Sequence, residues 1–225
     1  MGLYTRFVLP RLIDLAMRNK DAAQLRSKVI PAARGAVLEV GVGSGLNLPF
    51  YTTAVTHLYA VDPSFELLKM ARPKADRAPF PVEFLNHSAE RTPLPDGKVD
   101  TAVVTWSLCS IPDAPAALRE VRRVLKPDGT LIFVEHGLSS DPPVQAWQNR
   151  INPIWRRVAG GCNLNRKIDD LISSAGFSIK ELRTTYLPGP RPMAYTYEGL
   201  AHPAEGGLQG DEGGAGCHQR SSPFR

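Results

Sequence analysis

Residues 36–51 read Ala-Val-Leu-Glu-Val-Gly-Val-Gly-Ser-Gly-Leu-Asn-Leu-Pro-Phe-Tyr. Ala36 to Val40 is a short apolar, β-branched run of the kind a buried parallel strand needs. Gly41, Gly43 and Gly45 follow at once. Such a turn takes positive φ and lets a ligand approach the backbone. From Asn47 onward the pattern predicts a helix whose first N–H groups face the same ligand. Strand, glycine turn and helix together form the opening unit of a nucleotide-binding α/β sheet, which narrows the fold more than any composition does.

The spacing Gly-x-Gly-x-Gly differs from the Gly-x-Gly-x-x-Gly of dinucleotide enzymes, which disfavours a nicotinamide oxidoreductase. Glu39 lies inside the strand before the turn. A second apolar run, Leu58 to Val61, ends in Asp62-Pro63-Ser64. Asp62 stands about 20 residues past the first glycine, where a carboxylate can accept hydrogen bonds from a ribose diol. A tight βα turn followed by a solvated aspartate is the plainer reading. The combined pattern resembles motif I of the class I S-adenosylmethionine-dependent methyltransferases. The resemblance implies S-adenosyl-L-methionine as cofactor, with Glu39, Gly41, Gly43, Gly45, Asn47, Asp62 and Pro63 around it.

The β-α alternation continues. Phe65 to Ala75 patterns as a helix, Val82 to Leu85 as a strand, Asp100 to Trp106 as a strand, and Ala114 to Leu125 as a helix capped by Asp113. Lys126 to Gly129 reads as a stop and turn, and Thr130 to Glu135 as the next strand. Ligands of a doubly wound sheet bind beyond the carboxyl ends of its strands. Ser88, Ala89 and Glu90, then Thr105 and Trp106, fall at such ends and are cofactor candidates, with a plain solvated loop as the alternative for 88–90. Ile168 to Ala175 reads as a helix closed by Gly176, and Ser178 to Tyr186 and Ala194 to Glu198 as two final strands. The expectation is an α/β fold: a doubly wound, Rossmann-like, seven-stranded sheet with helices on both faces.

Three segments follow from this pattern: a helical cap over 1–34, the sheet domain over 35–202, and a disordered tail over 203–225 that is poor in large apolar residues. Within the cap, residues 3–19 have near-helical apolar spacing through Tyr4, Phe7, Val8, Leu12 and Leu15, with a bend expected at Pro10. This helix is a lid, a weak membrane-surface contact, or simple packing. Asp21 is the expected cap of a second helix running to Val29. The basic residues of this segment, Arg26 among them, read as a solvated helix face rather than a nucleic-acid or lipid site. No run of about 18 apolar residues and no secretion signal is evident, so a cytoplasmic protein is expected. Cys109, Cys162 and Cys217 are far apart and odd in number. That points to reduced thiols and against a metal site or a disulfide frame.

A narrower resemblance comes from the later segments. Leu108-Cys109-Ser110-Ile111, the Leu118-to-Pro127 helix, Val134-Glu135-His136 and Gly161-Cys162-Asn163-Leu164-Asn165-Arg166 occur in this order. Over roughly residues 34–180 they look like the methyltransferase-like thiol S-methyltransferases and their bacterial relatives. The resemblance implies a small-molecule methyl acceptor, a thiol. A lipid amine or quinone precursor, or a non-catalytic cofactor-binding module, are the alternatives. A thiol must lose its proton to become a nucleophile. His136 is the candidate to assist, because its ordinary pKa is near neutrality. A structural hydrogen bond is its other reading. Asn165 and Arg166 are candidates to orient the acceptor. Trp147 and Trp155, in the stretch after the fifth strand, read either as an acceptor wall or as core.

Overall fold

The computed structural model describes residues 9–204. Tyr4, Phe7 and Val8 of the expected first helix, and residues 205–225 of the expected tail, lie outside the described residues. Seven strands form one sheet: β1 (Gly35–Val40), β2 (Val55–Val61), β3 (Val82–Leu85), β4 (Val99–Thr105), β5 (Leu125–His136), β6 (Phe177–Tyr186) and β7 (Tyr195–Pro203). Their order is β3-β2-β1-β4-β5-β7-β6. The first five strands pair in parallel, and β7 runs antiparallel to both β5 and β6. The order reverses between β1 and β4, which opens a crevice beyond their carboxyl ends.

Helices α1 (Leu9–Met17), α2 (Lys20–Val29), α3 (Phe65–Ala75), α4 (Ala114–Val124), α5 (Pro142–Val158), α6 (Ile168–Ser174) and the short α7 (Arg191–Ala194) complete the chain. Strand residues alternate between faces, and both faces are covered. Leu38, Val40, Ala102, Val104, Leu131 and Phe133 pack with Leu118 and Val121 of α4 and Ile168 and Ile172 of α6. Val37, Val103 and Ile132 point the other way, toward Ile30 after α2 and Ala71 of α3. On α4 the buried residues Ala114, Ala117, Leu118, Val121 and Val124 recur at three- and four-residue steps, one apolar stripe of a 3.6-residue helix. Among the described residues no helix is long and apolar enough to cross a membrane.

Several local expectations are corrected. No α-helix follows the glycine turn; a single 3-10 turn spans Leu48–Phe50. Pro49 fits the first turn of a helix, but the Asn47 side chain makes no capping bond. Its amide instead turns inward to Glu39 and Thr105. Helix α2 is capped by Asn19, whose Oδ1 accepts from the Ala22 N–H, and Asp21 sits in its first turn. Lys126 to Gly129 belong to β5, looped out between the Val99–Leu125 and Thr101–Thr130 pairs. The Lys126 ammonium on the Asp100 carboxylate, 2.5 Å away, pins that bulge. Strand β7 runs on to Pro203 because it is hydrogen-bonded on both sides. Ala204 is still held, donating to the Gly176 carbonyl and accepting from Arg122.

Candidate active site

The glycine turn closes against the loop that follows β4. Gly41 has φ +70° and Gly43 +56°, values that favour glycine. A Cβ on Gly41 would lie 2.1 Å from the Ser107 hydroxyl, so only glycine fits there. Asp62, at the end of β2, grips the turn: one carboxylate oxygen accepts from the Gly43 N–H at 2.9 Å, the other from the Ser64 N–H at 2.8 Å. Burial pushes its pKa up, and those two N–H groups oppose the shift. Each oxygen keeps a second lone pair.

Beneath the turn lies a buried polar network. Glu39 is 1% exposed. It accepts from the Tyr51 hydroxyl and the Asn47 amide, both at 2.9 Å. Burial pushes its carboxyl up to about 7 against those hydrogen bonds and the nearby Arg26 charge. Asn47 also donates to Thr105 Oγ1 at 3.0 Å and accepts from Arg26 Nε at 3.0 Å. Arg26 is buried, not solvated. Its Nη1 donates to the Met17 carbonyl at 2.9 Å, and its guanidinium lies 4.8 Å from the centre of the Trp106 ring. Sequence reasoning missed Arg26. The signal was present: Ala22, Leu25 and Arg26 share one face of α2, and all three are buried. Among the described non-glycine residues Trp106 alone has positive φ, +49°. Strain of this kind clusters at ligand sites.

A cleft opens here, lined by Glu39, Gly41, Gly43, Asn47, Thr105 and Trp106 together with Arg26 and Ser107. Its roof is α1, which contributes Ile13, Asp14 and Met17. Asp14 accepts from the Ser44 hydroxyl and pairs with Arg18 at 2.7 Å, so α1 is latched to the glycine turn. Gly45, Asp62, Pro63, Ser88, Ala89 and Glu90 do not line this cleft. Gly45 packs against Leu48 and Ala71. Ala89 is in the core, and Pro63 is exposed. Glu90 accepts from Ser88 Oγ and from the Asp113 N–H, tying the loop after β3 to the start of α4.

A second group gathers at the end of β5. Glu135 is fully buried, and one oxygen accepts from the N–H groups of Ser107 at 2.6 Å and Leu108 at 3.0 Å. Burial pushes its carboxyl up to about 7. His136 Nε2 lies 3.3 Å from Cys162 Sγ, and the Trp155 indole N–H donates to the same sulfur at 3.3 Å. The ligand atoms of Cys109, His136 and Cys162 all lie within 4.8 Å of one another. The expectation of separated thiols is therefore corrected, because the fold closes a long loop between two cysteines that are distant in sequence. Burial lowers the His136 pKa, but Cys162 and Glu135 outweigh it and the net direction is upward. Cys162 is held well above the usual thiol range by the neighbouring Cys109 and by burial.

The other expected acceptor residues have structural partners. The Arg166 guanidinium donates to the carbonyls of Leu108, Ile111 and Pro112, clamping the loop after β4. Asn165 donates to Asn149 of α5 at 2.9 Å. Asn163 is the neighbour that reaches the site, with its backbone N–H and side-chain amide both donating to the Cys109 carbonyl. Trp147 is 58% exposed, whereas Trp155 faces Cys162.

This strand order, with a glycine turn after β1 and an acid ending β2, is the framework of a cofactor-dependent methyltransferase, and the family model described as a methyltransferase domain matches residues 38–133. The chain belongs to the class I S-adenosylmethionine-dependent methyltransferases, and S-adenosylmethionine is its cofactor. Among its relatives, human thiol S-methyltransferase TMT1A is 32% identical over 203 residues, 85% of this chain and 82% of that protein. Phosphatidylethanolamine N-methyltransferase of Cereibacter sphaeroides is 34% identical over 131 residues, 57% of this chain and 62% of that protein. The solved structure of YcgJ from Bacillus subtilis shares the fold, with a TM-score of 0.64 at 18% identity, over 84% of this chain and 100% of that one.

Proposed function

We propose that this methyltransferase acts on the sulfur of a small thiol. The observation that carries the reading is the similarity to a thiol S-methyltransferase along 85% of the chain. The sulfur- and imidazole-lined cluster beside the loop after β4 supports it. When bound, the cofactor supplies a methyl group already activated on a sulfonium. Gly43, with open space on its Cα, leaves the backbone open to it, and Asp62, which holds the Gly43 rim of the cleft from outside it, has lone pairs for the ribose hydroxyls. Glu39 and Arg26 offer a carboxylate and a guanidinium to the charged ends of its amino-acid portion. Helix α1 roofs part of the cleft, on the side where an in-line transfer needs water held back. R–SH becomes R–S–CH3 as the bond between the methyl carbon and the sulfonium sulfur breaks, leaving the neutral thioether S-adenosylhomocysteine, and the thiol proton leaves to solvent.

The relative that methylates phosphatidylethanolamine favours a lipid amine as the second reading. Incubation with methyl-labelled cofactor and a panel of alkyl thiol, phenol, amine and phosphatidylethanolamine separates the two. Label in the thioether alone is expected. Label in the amine or lipid with none in the thiol overturns the thiol assignment.

A further inference from the structure

We propose that Cys109, His136 and Cys162 form a binding site for one thiophilic divalent cation of the zinc class. The three residues come from different places: the loop after β4, the end of β5, and the segment between α5 and α6. Their ligand atoms nevertheless lie within 4.8 Å of one another. Tetrahedral zinc holds sulfur at about 2.3 Å and imidazole nitrogen at about 2.0 Å, which separates N from S by roughly 3.5 Å and S from S by roughly 3.8 Å. The observed separation of His136 Nε2 from Cys162 Sγ is 3.3 Å. One edge of the ligand set is thus close to its metal-bound length, and closing the rest takes roughly 1.3 Å at most, the difference between 4.8 Å and an N–S separation of roughly 3.5 Å.

The surroundings are built as a metal site requires, with the ligands themselves held by neighbours. The Trp155 indole N–H donates to Cys162 Sγ, as it would to a thiolate. Asn163 fixes the Cys109 backbone through two hydrogen bonds to its carbonyl. Glu135 fixes the residues just before Cys109 by accepting from the Ser107 and Leu108 N–H groups. Arg166 clamps the same loop and places a positive charge beside it. Two sulfurs and an imidazole select zinc or cadmium over magnesium or calcium. Among the described residues no fourth His, Cys, Asp or Glu joins the group. Three protein ligands leave one position for an outside ligand, the arrangement of reactive rather than structural zinc. On the thiol reading above, and resting on it, that fourth ligand is the acceptor sulfur, which loses its proton to solvent on coordination. The cation site itself does not depend on that reading.

The probe is cadmium, titrated into the full chain carrying Cys217→Ser so that the third cysteine contributes nothing. A thiolate-to-metal ultraviolet band should saturate at one equivalent, with about two protons released per ion. Cys109→Ser and Cys162→Ser should each halve the band, and the double variant should abolish it. His136→Ala should weaken binding by more than the roughly 10- to 100-fold that loss of a residue merely supporting a ligand costs. No band at one equivalent, or a band that survives in the double variant, overturns the site. A second measurement avoids mutation: stoichiometric zinc should protect Cys162 of the wild-type chain from alkylation, and unchanged alkylation also overturns the site. The link to the acceptor is read separately. Chelation should remove thiol methylation and spare cofactor affinity, and undiminished methylation by the metal-free chain breaks the link. Absence of thiol methylation under all conditions defeats the thiol reading alone.

Discussion

At the ends of β1 and β2, buried charge is held by hydroxyls, amides and backbone N–H groups: Glu39 by Tyr51 and Asn47, Asp62 by Gly43 and Ser64. At the end of β5 two sulfurs, an imidazole and an indole gather. The first region suits a charged, hydroxyl-rich cofactor and the second a soft, sulfur-bearing partner. On the proposed function, one sheet edge thus carries hard chemistry at Trp106 and soft chemistry at Cys109 of the same loop.

If that division is right, variants should sort by region. The largest effect is expected for Gly41→Val. It places carbon against Ser107 at a φ of +70°. The strain is on the order of 1–3 kcal/mol, and cofactor binding should be lost in a calorimetric titration of the folded variant. Next comes Glu39. Burial holds its folded pKa at about 7, above the ordinary 4.5 of a carboxyl exposed in the unfolded chain. The associated stability is therefore present below about pH 4.5 and lost as pH rises through about 7, on the order of 3 kcal/mol in all. Denaturant unfolding of the ligand-free protein should show this loss, and Glu39→Gln should remove that part of the pH dependence. A variant with an unchanged pH profile would mean that Glu39 is ionised at no cost in the fold.

Asp62→Ala should weaken cofactor binding by about 1.5–3 kcal/mol, the worth of hydrogen bonds to a charged group. The smallest effect is expected at the roof. Asp14→Ala breaks the latch to Ser44 and should cost about 1 kcal/mol of cofactor affinity, seen mainly as faster release in stopped-flow displacement. No change in release rate would show that α1 covers the cleft without closing it.

The same two regions differ in how readable they are. The strand, the glycines and Asp62 are neighbours in sequence or one βα unit apart, so their spacing carries the geometry. The β-α alternation of the seven-stranded sheet was legible for the same reason, whereas the strand order and the antiparallel β7 come from the folded chain. Arg26 was hidden because charge outweighed its position on the buried stripe of α2. The helix expected from Asn47 failed because its side chain had stronger partners in the interior than at a cap. The cysteine cluster depends on closing long loops across α5, which no local pattern records. Arg166 and Asn165 were found by resemblance, but only the folded chain shows their partners to be a loop and α5.

The division between the two regions is tested most directly by measuring cofactor Kd and thiol KM for Asp62→Ala and Cys162→Ser side by side. Asp62→Ala should raise the Kd for S-adenosylmethionine at least tenfold with thiol KM little changed. Cys162→Ser should leave that Kd within about twofold, the usual reach of a change outside a contact, and impair turnover of the thiol. If Cys162→Ser raises the cofactor Kd as much as Asp62→Ala does, the two regions are one site and the account is contradicted.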